Sequence, residues 1–237
     1  MVAAMKFGMI PLIALLAAAS PAAAAERRFM VTDFDRVQVE GPFEVVLTTG
    51  RPSSATASGT PQALDRVSID VQGRTLRVRP NRSAWGGYPG QAAGGPVRIT
   101  VSTRDFVAGA VAGPGSLAID RAKGLRIELS VTGSGRIGLA AVEADQLVLG
   151  LTGSGRIILA GRAKMLRASL RGTGDLDAAA FRTDDADILT ETAGSVALTA
   201  VRTAKIRANG IGEVVIGGSP ACTVTGLGGG NVRCGDK

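Results

Sequence analysis

The chain has 237 residues, 45% of them apolar but only 3% aromatic, with 33 glycines and a net charge of +7 from 27 basic and 20 acidic side chains. It contains two cysteines and no histidine, which excludes Ser-His-Asp catalysis, Cys-His pairs and histidine metal centres. The length suits one well-cored domain, or one domain with a distinct N-terminal part.

Residues 1–25 read as a secretory signal: Lys6 supplies the positive start, Phe7 to Ala19 the apolar core, and Ala23-Ala24-Ala25 a small-residue cleavage site before Glu26. Pro11 and Pro21 shorten the apolar run below the about 20 residues that a membrane anchor needs, and no cysteine near the cleavage site offers a lipid attachment point. The expectation is an exported chain in the periplasm or outside the cell, with no transmembrane span after cleavage.

Residues 26–106 form a strand-rich N-terminal part without the glycine ladder that follows. Val37 and Val39 alternate with Arg36, Gln38 and Glu40, Gly41-Pro42 turns the chain, and Phe43 to Thr48 runs back out. A strand at Ala55 to Ser58, a helical turn at Pro61 to Arg66, and strands Val67 to Val71 and Leu76 to Arg79 about a Gln72-Gly73 turn come next. These read as irregular opening coils that cover the end of a stack. Arg74, Arg77, Arg79 and Arg82 cluster here, as a contact for a polyanion such as lipopolysaccharide, an acidic glycan or an anionic membrane, or as a solvated face. Asn81 to Pro96 is rich in Gly and Pro and holds the only tryptophan and tyrosine, Trp85 and Tyr88, as an exposed contact loop or as a lid folded onto the body.

From residue 107 to 237 one pattern recurs: Gly113-Pro114-Gly115, Gly133-Ser134-Gly135, Gly153-Ser154-Gly155, Gly172-Thr173-Gly174, Ala193-Gly194, Gly210-Ile211-Gly212 and Gly228-Gly229-Gly230. A period of about 20 residues is the mark of a solenoid. Eight, six and four residues before each second glycine stand apolar triplets such as Leu147/Leu149/Leu151. Two and four residues after it stand pairs such as Ile157/Leu159. Alternation of this kind gives two short strands per repeat with a glycine corner between them, and stacking in register at about 4.8 Å turns the apolar faces into one core. A leucine-rich repeat would need a helical return and an Asn ladder, and neither is present. Segments such as Ala140 to Asp145 and Gly161 to Lys164 are too short for more than one helical turn, so the third side is expected to be short or irregular. The fold expected is all-β, a parallel β-helix with irregular N-terminal strands. Outward positions mostly place unlike charges one coil apart, Arg171 before Glu191 and Arg156 before Asp175, with Arg136 above Arg156 as an exception. Cys222 and Cys234 fall at inward positions of the last repeat and are expected to form a disulfide across the final coil.

The densest acidic run, Asp184-Asp185-Ala186-Asp187 with Glu191 nearby, could offer oxygen ligands to calcium. It lacks the Gly-Gly-x-Gly-x-Asp arrangement of calcium β-rolls, and a solvated corner is the reading preferred. No catalytic residue, metal site or cofactor is assigned. The competing class is a polysaccharide lyase or hydrolase on the same scaffold, which requires carboxylates and bases converging in a cleft.

The exported start, the opening from Phe34-Asp35-Arg36-Val37 to Phe43-Glu44-Val45 and the repeated Gly-Ser-Gly-Arg-Ile units resemble the bacterial head GIN domain proteins, labelled putative auto-transporter adhesins. The resemblance runs from about residue 30 to 235. It implies a right-handed parallel β-helix in the cell envelope, acting as a non-enzymatic binding or structural module. It brings no catalytic residues. The partners expected from the basic cluster and the aromatic loop are an envelope glycan, lipopolysaccharide or another envelope protein, and an exported chain of mixed surface charge does not point to nucleic acid.

Overall fold

The computed structural model describes residues 25–81, 96–226 and 232–235; the expected signal up to residue 24, Arg82, the Trp85 and Tyr88 loop, and the Gly228-Gly229-Gly230 corner lie outside them. Strands β1 (Ala25–Phe29), β2 (Arg36–Glu40), β3 (Glu44–Thr49) and β4 (Ser54–Gly59) precede one short helix, α1 (Pro61–Asp65). Then come β5 (Val67–Gln72), β6 (Thr75–Pro80), β7 (Arg98–Thr103), β8 (Ala108–Ala112) and β9 (Ser116–Ile119). The long strands β10 (Ala122–Gly133), β11 (Arg136–Gly153), β12 (Arg156–Gly172), β13 (Asp175–Thr192) and β14 (Val196–Ala208) follow, and β15 (Val214–Gly217), β16 (Ala221–Thr225) and β17 (Val232–Cys234) close the chain. The strands stack in parallel as a β-solenoid of about 6 turns.

Strands β11, β12 and β13, of 18, 17 and 18 residues, are each nearly a whole coil. Leu129 lies beside Leu149, Leu149 beside Ala168, Ala168 beside Ile188 and Ile188 beside Ile206, and all five are buried. The residues expected two and four places after each glycine are buried as well, Ile137, Leu139, Ile157 and Leu159 among them. Burial of each such side chain stabilises the coil by about 1.5–3 kcal/mol. Volume is balanced along the bore. Gly109 takes an inward position where a Cβ would lie 3.0 Å from Leu117 and 3.1 Å from the ring of Phe106, so Phe106, 2% exposed, fills the space that a larger residue at 109 would claim.

The glycine corner has two parts. Gly153 adopts φ 114°, a conformation that suits glycine. Gly155 needs closeness instead: a Cβ there would sit 2.5 Å from the Gly135 carbonyl oxygen of the coil before. The corner at Thr192 departs from this plan. Thr192 pairs with Gly172, is buried, and rebuilds the corner with its hydroxyl, which donates to the Gly174 carbonyl at 3.2 Å and accepts from the Gly194 N–H at 2.9 Å.

The third side is short, as expected: Ala122, Lys123 and Gly124 pair with Val142, Glu143 and Ala144, and these three pair with Gly161, Arg162 and Ala163, with shifts of register where later coils enter or leave it. The reading of the N-terminal part needs correction. The N-terminal part does carry a glycine corner: Gly41, with φ 92°, donates its N–H to the Ala112 carbonyl at 3.0 Å, beside Gly113. Consequently β2 and β3 are not a strand and its return but two sides of one coil. Finally, these coils do not stack in chain order. β2 pairs in parallel with both β6 and β8, and β3 with both β7 and β9, so the coil built first lies between two built later.

The ends differ. At the N-terminal end, β1, β4 and β5 pair antiparallel, and α1, capped by the Thr60 hydroxyl accepting from the Ala63 N–H, buries Ala63 and Leu64 against the stack. At the other end, β16 and β17 lie along β14 and β15, and Cys222 and Cys234 are disulfide-bonded with Cα atoms 6.4 Å apart, within the normal span.

Candidate functional site

A groove of about 510 Å³ runs along the third side. Its positions are generated by the repeat. Twelve residues before successive second glycines stand Lys123, Glu143, Arg162 and Arg182; eleven before, Gly124, Ala144, Ala163 and Thr183; ten before, Leu125, Asp145, Lys164 and Asp184. The strand ladder pairs the first set residue to residue from Lys123 to Arg182, and the second from Gly124 to Thr183. The third set is skipped in every pairing, because the chain turns there toward the next side. Small residues therefore make the floor, and two charged rims run parallel to the solenoid axis over four coils, about 14 Å at one strand spacing per coil.

The rims are organised by ion pairs. Glu143 accepts from Arg162 at 2.8 Å and lies 3.5 Å from the Lys123 ammonium. The hydrogen bond from Arg162, then the charge of Lys123, hold its carboxyl below the ordinary glutamate value. Across the floor Lys164 binds Asp145 at 2.8 Å; that hydrogen bond and charge, with Asp184 further off, raise the lysine above its ordinary value. All of these groups are solvent-facing, so the pairs contribute little to stability; their effect is to hold the rims in place. Arg182 differs: among the described residues no carboxylate pairs with it.

The residues singled out in the sequence are dispersed. Arg74 binds Asp35 at 2.7 Å and Arg79 lies 3.5 Å from Asp70, while Arg77 sits beside Gln38 and Asp70 in the ladder with its Nε buried and without a hydrogen-bond partner. The acidic run is engaged in ion pairs: Arg202 and the Thr203 hydroxyl bind Asp185, Arg207 binds Asp187, and Arg171 binds Glu191. Among the described residues no group of three or more His, Cys, Asp or Glu side chains is placed to hold a metal ion, and no helix is long and apolar enough to cross a membrane. Arg156 meets Asp175 at 2.8 Å as its ladder position foretold. The groove residues were passed over as spacer, although the repeat arithmetic that located the core also aligns them.

The family model for the putative auto-transporter adhesin head GIN domain matches residues 33–220. A crystal structure of a putative adhesin from Bacteroides fragilis superposes with TM-score 0.79 at 15% identity, covering 91% of this chain and 98% of that one. A putative lipid binding protein from Parabacteroides distasonis gives TM-score 0.73 at 19% identity, with 91% and 98% covered. A putative adhesin from Parabacteroides merdae gives 0.65 at 17%, with 91% and 97% covered. No curated protein matches the chain.

Proposed function

Because the chain belongs to the head GIN domain family of putative auto-transporter adhesins, we propose that it is an exported, non-catalytic binding module of the cell envelope that holds an extended glycan along its third side. The observation that carries this reading is the groove's period. Each coil presents one rim residue on either side of a small floor residue, so the rims repeat at the strand spacing of about 4.8 Å, a spacing comparable to the length of one sugar ring. A polymer lying parallel to the axis would meet one pair of rim side chains, mostly charged, at each ring. A lipid, which the name of one structural neighbour brings to mind, would need an apolar lining, and here only Leu125 offers a large apolar side chain.

Glycan cleavage on the same scaffold is the competing class, and the electrostatics favour binding. A general acid needs a carboxyl pushed up toward the working pH, and a lysine base needs its ammonium pushed down; Glu143 and Lys164 are shifted the opposite way. Removing both rims at once with Arg162→Ala and Lys164→Ala, at exposed sites, should abolish binding of envelope polysaccharide in calorimetric titration while the circular dichroism spectrum is unchanged. Release of reducing ends from the polysaccharide by the unaltered chain would instead establish a glycan-cleaving enzyme, lyase or hydrolase.

A further inference from the structure

We infer that the groove selects an acidic glycan, its carboxylate or phosphate seated between Arg162 and Arg182 and its hydroxyls turned toward Asp145 and Asp184. This rests on the reading of the groove as a glycan site. It starts from an asymmetry between the rims. One carries three cations, Lys123, Arg162 and Arg182, against the single carboxylate of Glu143; the other carries the Lys164 ammonium against Asp145 and Asp184. A ligand laid between them meets a basic wall and an acidic one, which suits a sugar with an acidic group on one edge and hydroxyl donors on the other.

The arginine pair locates the acidic group. Arg162 and Arg182 are direct ladder neighbours, and like charges facing each other at one strand spacing are unfavourable. Outside the groove Arg136 also lies beside Arg156, and there the next coil supplies Asp175 to Arg156. On this rim Glu143 serves Lys123 and Arg162 from one side, and among the described residues nothing anionic serves Arg182. An oxyanion bridging the two guanidinium groups supplies what is missing, and the planar fork of arginine presents two parallel donors to a carboxylate or phosphate. An acidic peptide fits less well. Peptides commonly add to a sheet edge through their backbone, but the floor segments at Glu143, Arg162 and Arg182 are paired on both sides, and regularly spaced carboxylates would face Asp145 and Asp184.

The test titrates the exported chain with four probes at low and at physiological salt: a uronate oligosaccharide, phosphorylated lipopolysaccharide, a neutral glucan of equal length, and poly-glutamate. Preference for either anionic sugar over neutral glucan by tenfold or more, weakening with salt, is expected, and the two anionic arms tell a uronate from a phosphate source. Arg182→Gln should remove most of that preference, with Arg182→Lys intermediate. Equal binding of neutral and acidic sugars, or no effect of Arg182→Gln, would overturn the acidic assignment and leave the groove reading intact. Binding of no sugar, or sugar binding indifferent to Arg162→Ala with Lys164→Ala, would overturn the groove reading and this inference together. Poly-glutamate bound as tightly as the uronate would overturn the choice of a glycan.

Discussion

Alanine at position 155 tests the architecture with a single methyl group. An ideal Cβ on Gly155 would lie 2.5 Å from the Gly135 carbonyl oxygen and 2.5 Å from Val131. The φ of Gly155 is not in the left-handed region, so the cost is steric rather than conformational. Relief requires the two coils to part at the corner by nearly 1 Å, the difference between that approach and an ordinary contact. Such a movement takes the Ser154 N–H from the Gly133 carbonyl and the Arg156 N–H from the Gly135 carbonyl, both now at 3.0 Å, out of hydrogen-bonding range. Two bonds at about 1 kcal/mol each, with about 1–2 kcal/mol of overpacking strain, give a loss of about 3–4 kcal/mol. For a domain of this size that is a fall in Tm of about 6–16 °C. Gly138→Ala is the control, because a Cβ there meets nothing within 4 Å; restricting the unfolded chain should make it neutral or stabilising by about 0.4–1 kcal/mol. Thermal and urea unfolding followed by circular dichroism would read both variants. Equal midpoints would refute the close-approach account of the second glycines.

Leu149→Asp should leave the chain unfolded, because it places a carboxylate in the stacked core; a cooperative melt at the original temperature would contradict the inward assignment of a residue 3% exposed. Thiol titration of the unreduced protein should find no free cysteine, and Cys222→Ser with Cys234→Ser should cost roughly 3 kcal/mol on the chain-entropy estimate, seen as faster amide exchange in β16 and β17. Acidification should weaken the corner at Asp175, whose carboxyl is held below its ordinary value of 3.8 first by the Ser195 N–H and then by Arg156 and the Ser195 hydroxyl. A depressed folded pKa means that this stability is present above 3.8 and is lost as pH falls through the lower folded value. The urea midpoint of Asp175→Asn should therefore depend less on pH below 4 than that of the parent, and parallel curves would count against the effect.

The core was legible because the signal repeats: each coil restates the same alternation, so an error at one position is outvoted by its neighbours at the same offset. The glycine pairs located the corners for the same reason, and Thr192 shows the limit, since a side chain can rebuild a corner through hydrogen bonds that spacing does not announce. The N-terminal order was not legible. Nothing in residues 36–49 states that this coil will be clasped between β6–β7 and β8–β9; that follows from strand pairing between segments far apart in sequence. Gly41 was missed as a corner because Phe43 occupies the place where later coils carry a second glycine, although the proline between them recurs in Gly113-Pro114-Gly115. The groove went unread because its rim positions carry no consistent residue type, only a consistent offset.

That division between constrained and free positions separates the fold from its ligand. In the coil from Arg136 to Gly153 the seven buried side chains, beginning at Ile137 and ending at Leu151, and the corner glycines carry the packing. The outward positions contribute exposed pairs worth at most about 1 kcal/mol each. A chain under only those constraints can keep its backbone course while nearly every outward residue changes, which agrees with TM-scores of 0.79 and 0.73 at 15% and 19% identity. It follows that a neighbour's ligand cannot be transferred through the shared fold, since the residues that would choose it are those the fold leaves free. It also follows that rim charges can be exchanged one coil at a time, Arg182 for glutamine or Asp184 for asparagine, to alter what the groove accepts while the stack beneath keeps its stability.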